Sequence, residues 1–161
     1  MEHVAHLVTE QNHPLVITHG NGPQVGELMT KNELARDQVA VEPLDWCVAQ
    51  TQATIGFTIA NTLEAELQRR GVSRPVVPLI SRVLVDADDP AFDEPTKPVG
   101  PYVTDEAEVA RRQQAGQRFV QIGDEGWRRV VASPEPLACV DQPAIETLLG
   151  NGAIVVANGG G

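Results

Sequence analysis

"PLVITHGNGPQVGEL", Pro14 to Leu28, decides how the chain is read. The apolar run Leu15 to Ile17 is short and uninterrupted, as in the buried strands of parallel sheets. It opens at Thr18 and His19 into Gly20-Asn21-Gly22, and Pro23 suits the first position of a helix. Two readings fit this turn. Glycines let a ligand approach the main chain, successive amide N–H groups at a strand end can form an anion nest, and the following helix adds partial positive charge. Alternatively, it is a tight strand-to-helix turn with no ligand. Gly20, Gly22 and Gly26 are spaced G-x-G-x-x-x-G, one residue longer than the dinucleotide fingerprint, and no Walker A sequence occurs.

Outward from the turn, strands and helices alternate. Val4 to Gln11 predicts a short helix, and Pro23 to about Gln38 a second. The longest runs from about Asp45 to Arg70, with Val48, Thr51, Ile55, Ile59, Leu63 and Leu67 on one face and Gly71 closing it. Val76 to Ile80 predicts a strand, Asp105 to Gln114 a polar helix, and Arg129 to Ala132 a strand. Asp141 is a plausible N-cap for a helix over Ala144 to Leu149, closed by Gly150-Asn151-Gly152, and Ala153 to Ala157 is a last strand. The segment Asp86 to Arg128, rich in Asp and Pro at its start, reads as an excursion: a loop, a hairpin or a small protruding subdomain. The alternation predicts an α/β fold with a mainly parallel sheet covered on both faces, whose ligands bind beyond the carboxyl ends of the strands.

Composition narrows the partners. The 161 residues suit one domain, and 42% hydrophobic content is ordinary for a globular protein. A net charge of −10 disfavours nucleic acid and anionic membrane surfaces. No apolar run approaches the ~20 residues that span a bilayer, and Met1-Glu2-His3 does not open a signal peptide. Cys47 and Cys139 form no CxxC pattern and read as reduced thiols of a cytoplasmic protein.

Several residues could carry chemistry. There are only two lysines, Lys31 and Lys97. Lys97 lies in "EPTKPVGPY", where flanking prolines predict a stiff loop that holds a single side chain for a point-charge contact to phosphate; the plainer reading is a rigid surface loop. Gly159-Gly160-Gly161 follow an apolar strand as the first turn does, and could receive a second anionic group or be a flexible end. Arg128 and Arg129 could pair with phosphate or brace the excursion against acidic residues, and His19 beside the turn reads as a hydrogen-bonded packing residue. The runs Asp86 to Asp89 and Asp93-Glu94 lack Ca²⁺-loop spacing, so no metal site is expected in this chain.

Taken together, "THGNGPQVG", "EPLDWCVAQTQATIGF", "PTKPVGP", "GWRRVVASPEP" and "AIVVANGGG" resemble the carbamate kinases of the amino-acid kinase superfamily in content and order, from about Val4 to Gly161. The resemblance implies a three-layer α/β/α sandwich, with residues 1–161 a partial amino-acid kinase domain and roughly 84–128 a protruding subdomain inserted within it. It implies the reaction ATP + carbamate ⇌ ADP + carbamoyl phosphate with Mg²⁺, in the arginine deiminase pathway, by a cytoplasmic homodimer. It also implies that Gly20-Asn21-Gly22 hold carbamate or the transferred phosphoryl group, and that Lys97 is catalytic. The family begins with a "LGGNAL" phosphate loop and continues past the triple glycine into a half that binds most of ATP. The chain is therefore expected to be a piece truncated at both ends, with most of the ATP site missing and an unprotected sheet edge. The alternatives are a non-catalytic remnant acting as an anion-binding or oligomerising module, and another superfamily member such as an acetylglutamate or uridylate kinase. The Lys97 loop and "SPEP" argue against the latter.

Overall fold

The computed structural model describes residues 1–10, 13–157 and 159. In chain order the elements are α1 (Glu2–Glu10), β1 (Leu15–Ile17), α2 (Gly22–Ala35), α3 (Leu44–Arg69), β2 (Val76–Pro78), β3 (Val83–Val85), a 3-10 turn (Pro90–Phe92), β4 (Lys97–Val103), α4 (Glu106–Gln114), β5 (Arg118–Ile122), β6 (Gly126–Val131), β7 (Pro136–Cys139), α5 (Gln142–Gly150) and β8 (Ile154–Val156). They form two compact units. One comprises Met1–Asn21, Val48–Leu84 and Ala138–Gly161, the other Gly22–Cys47 and Val85–Leu137. The strands β3 and β7 make a separate two-stranded sheet.

The first unit is built on a parallel sheet ordered β1-β8-β2, with Leu15 and Val76 both registered on Ile154. Alternation along β8 sorts its side chains onto two faces. Ile154 and Val156 pack with Ala5 and Val8 of α1 and with Ala60, Leu63 and Leu67 of α3. Val155 and Ala157 pack with Ile145, Leu148 and Leu149 of α5. This is the α/β/α layering expected from the sequence, and it explains why the central strand is apolar throughout: neither face meets water. Full burial of one such side chain as Leu63 contributes about 2 kcal/mol.

Local chemistry sets the helix limits. At the end of α3, Gly71 adopts φ +70°, and Val72 N donates to Leu67 O at 3.0 Å, the bond that closes a helix through a left-handed residue. Thr58 and Thr62 return their hydroxyls to Thr54 O and Thr58 O, so the outer face of α3 needs no charge to satisfy it. At Gly56 a Cβ would stand 2.8 Å from Pro78 Cβ, so the missing side chain lets α3 lie on β2. Asp141 is the N-cap residue of α5, as expected, and its backbone oxygen accepts from Ile145 N at 3.1 Å, but its side chain makes no capping bond. Its carboxylate instead accepts from Arg82 N and Arg82 Nη2, both at 2.7 Å. A two-point arginine contact outcompetes a single helix N–H.

The second unit centres on an antiparallel sheet ordered β4-β6-β5. The segment around Lys97 forms strand β4, not the expected loop. Pro98 and Pro101 are tolerated because β4 is an edge strand, where a missing N–H breaks no ladder. The register slips between Val99 and Tyr102, around Gly100 at φ +72°. The predicted strand Arg129 to Ala132 begins earlier, at Gly126, and the predicted strand Val76 to Ile80 ends at Pro78. Asp105 caps α4 through its side chain, accepting from Ala107 N at 2.9 Å.

Candidate functional site

In the first unit the carboxyl ends of β1 and β8 lie side by side. The ladder extends one step past the strands, with Ala157 N donating to Ile17 O at 3.0 Å. Beyond it His19 packs on Gly159, where any Cβ would run into the imidazole ring. Gly159 is thus a contact glycine that seats His19, whose Nδ1 lies 3.2 Å from Gly20 O, a hydrogen bond in the tautomer protonated there. Gly160 and Gly161, expected as phosphate ligands with Gly159, lie outside the described residues.

Gly20 and Gly22 behave differently. Neither has the left-handed backbone that the sequence reading allowed for, and a Cβ on either would meet nothing within 4 Å. Neither backbone conformation nor packing requires glycine at these two positions. What their glycines supply is clearance along the main chain at the end of β1. Between them Asn21 is only 7% exposed, and its Nδ2 donates to Thr51 Oγ1 at 2.9 Å. Thr51 in turn donates to Val48 O at 2.8 Å. The turn is pinned to α3 by a buried two-bond chain. Next to it, Gln52 Oε1 accepts from Ser81 N at 2.9 Å and Gln52 Nε2 donates to Ser81 O at 3.3 Å, which holds the chain after β2. Neither Thr51 nor Gln52 was singled out from the sequence as a polar anchor. The available signal was Thr51-Gln52 within "QTQ", two polar residues beside the helix's apolar spacing.

In the second unit Lys97 begins β4 opposite Val131. Its side chain is exposed and joins no ion pair among the described residues, whereas Lys31 is paired with Glu27 at 2.7 Å. Within this unit α2 packs directly on β4. A Cβ on Gly26 would be 3.7 Å from Gly100 Cα, and one on Gly100 would be 3.2 Å from Met29 Cε. The helix that starts at Gly22 and the strand that starts at Lys97 are therefore held together backbone to backbone. Arg128 braces the same strand: its Nη2 donates to Gly100 O at 3.0 Å and its guanidinium lies 5.2 Å from the centre of the Tyr102 ring. The tyrosine hydroxyl is pushed above its ordinary value, chiefly by its hydrogen bond with Glu125. Arg129 is half-buried; burial lowers its pKa, and the nearby Glu33 charge opposes that shift. Arg128 thus acts on a strand carbonyl and a ring, not on the acidic residues expected from the sequence, while Arg129 does feel one of them.

Chemically, the first unit offers a cleared, rigid glycine turn at the end of a buried strand, and the second a helix start and one unpaired ammonium. Turns of the first kind bind small anions, and an unpaired lysine serves phosphate. Among the described residues no three His, Cys, Asp or Glu side chains gather to hold a metal ion.

Comparison with known proteins agrees along the whole chain. No family model matches it. It is 42% identical over 160 residues to carbamate kinase 1 of Enterococcus faecium, covering 99% of this chain and 51% of that protein. It is 39% identical to the carbamate kinase of Thermococcus kodakarensis, over 98% of this chain and 51% of the relative. Among solved structures, the carbamate kinase of Giardia lamblia bound to AMP-PNP superposes with a TM-score of 0.84 at 32% identity, over 99% of this chain and 52% of that one. The chain spans about half the length of the curated relatives it matches. Over that span, from the parallel sheet and its glycine turn to the lysine strand, the chain is similar to the carbamate kinases.

Proposed function

We propose that this chain supplies the carbamate side of a carbamate kinase, catalysing ATP + carbamate ⇌ ADP + carbamoyl phosphate. The observation that carries the reading is the turn Gly20-Asn21-Gly22, whose two glycines are required by neither backbone nor packing and whose asparagine is pinned from beneath. In phosphoryl transfer negative charge spreads over the equatorial oxygens, and catalysis is mostly positioning plus charge stabilisation. The turn's main-chain amides would hold the carbamate or phosphoryl oxygens, and the Lys97 ammonium would offset the charge that grows on them. Gly159 would act through His19, by seating it, and not as a phosphate ligand itself.

The same reading makes ATP and ADP the nucleotides and places the protein in arginine breakdown, in the cytoplasm, as a homodimer. Mg²⁺ would accompany the nucleotide. The described residues present no ligand cluster for it, so no residue of this chain is assigned to the ion and no step is routed through it. No helix of the described residues is long and apolar enough to cross a membrane.

The test is carbamoyl-phosphate-dependent formation of ATP from ADP and Mg²⁺ by the protein that carries this sequence, beside its Lys97→Ala variant. The expected result is turnover that falls about 100-fold in the variant, the scale of losing one preorganised charge contact. Turnover unchanged by Lys97→Ala would remove the lysine's role. Phosphorylation of acetylglutamate or UMP in place of carbamate would overturn the assignment.

A further inference from the structure

The bond that pins the turn also has a direction. Thr51 gives its one hydroxyl proton to Val48 O, inside α3, so toward Asn21 its oxygen can only accept. Asn21 must then present its NH₂ group, as it does at 2.9 Å. The reversed amide would set a carbonyl oxygen against a hydroxyl oxygen with no proton between them. Asn21 is 7% exposed and Thr51 2%, so water does not readily relieve the wrong orientation. The helix backbone thereby dictates which end of the Asn21 amide remains. That end is Oδ1, and no described residue donates to it. Oδ1 is not among the unpartnered atoms sealed from solvent, so it is an acceptor that the buried Asn21 presents toward the surface, where an incoming ligand can donate to it.

We propose that Thr51 is a positioning residue that fixes Asn21 with Oδ1 as an acceptor at the glycine turn, so that the site selects anions carrying an amino group beside the charged end over isosteres carrying a methyl group. This rests on the reading of the turn as the carbamate site and adds a specificity determinant to it. Carbamate and carbamoyl phosphate offer such an N–H group; acetate and acetyl phosphate have the same shape and charge but no donor. With the methyl isostere the ligand itself desolvates Oδ1 and leaves it unpaired, which is how a hydrogen-bonding site rejects a near-isostere.

The experiment titrates the ¹⁵N-labelled 161-residue chain with carbamoyl phosphate and, separately, with acetyl phosphate, following the amide resonances of Gly20, Asn21 and Gly22. The expected result is about tenfold tighter binding of carbamoyl phosphate, the scale of one hydrogen bond with its desolvation cost. That preference should persist in Thr51→Ser, which keeps the hydroxyl. It should vanish in Thr51→Val, which keeps the shape but frees the amide to turn. Equal affinities in the wild type would overturn the inference while leaving the anion site intact, whether or not Thr51→Val folds. A preference retained in Thr51→Val would overturn the role of Thr51. Shifts with neither ligand would remove the anion site itself and this inference with it.

Discussion

The two units solve the same problem with different chemistry. In the first, a three-stranded parallel sheet is sealed on both faces by aliphatic side chains, and six of the seven largest fully buried residues (Leu63, Leu67, Ile154, Val155, Val156 and Thr51) lie there. In the second, buried apolar residues are fewer, and α2 and α4 are joined by a charged network. Arg36 Nη1 meets Glu108 Oε1 at 2.8 Å, Arg112 Nε meets the same oxygen at 2.7 Å, and Arg112 Nη2 meets Glu33 Oε2 at 3.2 Å. Aliphatic burial barely responds to salt or pH, whereas ion pairs respond to both. The contrast teaches that the rigidity of the glycine turn should survive conditions that loosen the strand bearing Lys97.

Three changes would break or sharpen this contrast. The largest effect is expected from Leu63→Ala, which empties a fully buried site between α3 and the parallel sheet. It should cost about 3 kcal/mol, read as a fall in the urea midpoint that is the same at low and high salt. Next is Glu108→Gln, which leaves Arg36, Arg111 and Arg112 short of one carboxylate. It should cost about 2 kcal/mol at low salt and distinctly less in 1 M NaCl. Equal losses at both salt concentrations would show that the network acts by packing alone.

The smallest effect is expected from Asp141→Asn, a charged contact inside the first unit. Arg82, through its side chain and then its backbone N–H, holds the Asp141 carboxyl below the usual carboxylate range. Because the folded pKa is the lower one, the stabilisation is present above about pH 4 and is lost as pH falls through the folded value. The variant should therefore be less stable than the wild type at pH 7, and the gap should narrow toward pH 2. A gap constant with pH would show that the neutral hydrogen bonds matter and the charge does not.

What could be read in advance follows the same division. The first unit's elements announce themselves because both faces of its sheet are dry: β8 is a plain apolar run, and the helices over it keep apolar spacing, so α3 was placed within a residue at each end (Leu44–Arg69 against Asp45 to Arg70). In the second unit the strands mix buried and exposed positions. β4 hides behind two prolines and a glycine, and β5, "RFVQI", buries only Phe119. Period-two patterns that short are weak evidence, and prolines argue against a strand unless the partner on one side is known to be missing. At the site, the turn and Lys97 were visible as residue types. The clearance at Gly20 and Gly22, the seating of His19 on Gly159 and the Asn21–Thr51 bond depend on distant segments meeting, which no local pattern encodes.

The strand order of the parallel sheet also sets a timetable. The central strand is the last described one: Leu15 of β1 and Val76 of β2 both take their partner, Ile154, from β8. As the chain leaves the ribosome, β1 and β2 have no partner among the described residues until that strand emerges. The antiparallel ladders of the second unit join segments closer in sequence and can form well before it. Pairing across such long sequence separations is slow, and the waiting strands are open to association with other chains. For this fold the dangerous interval is the time between the synthesis of Ile17 and that of Val156. A pause or a holding chaperone within it would act while both strands still lack β8.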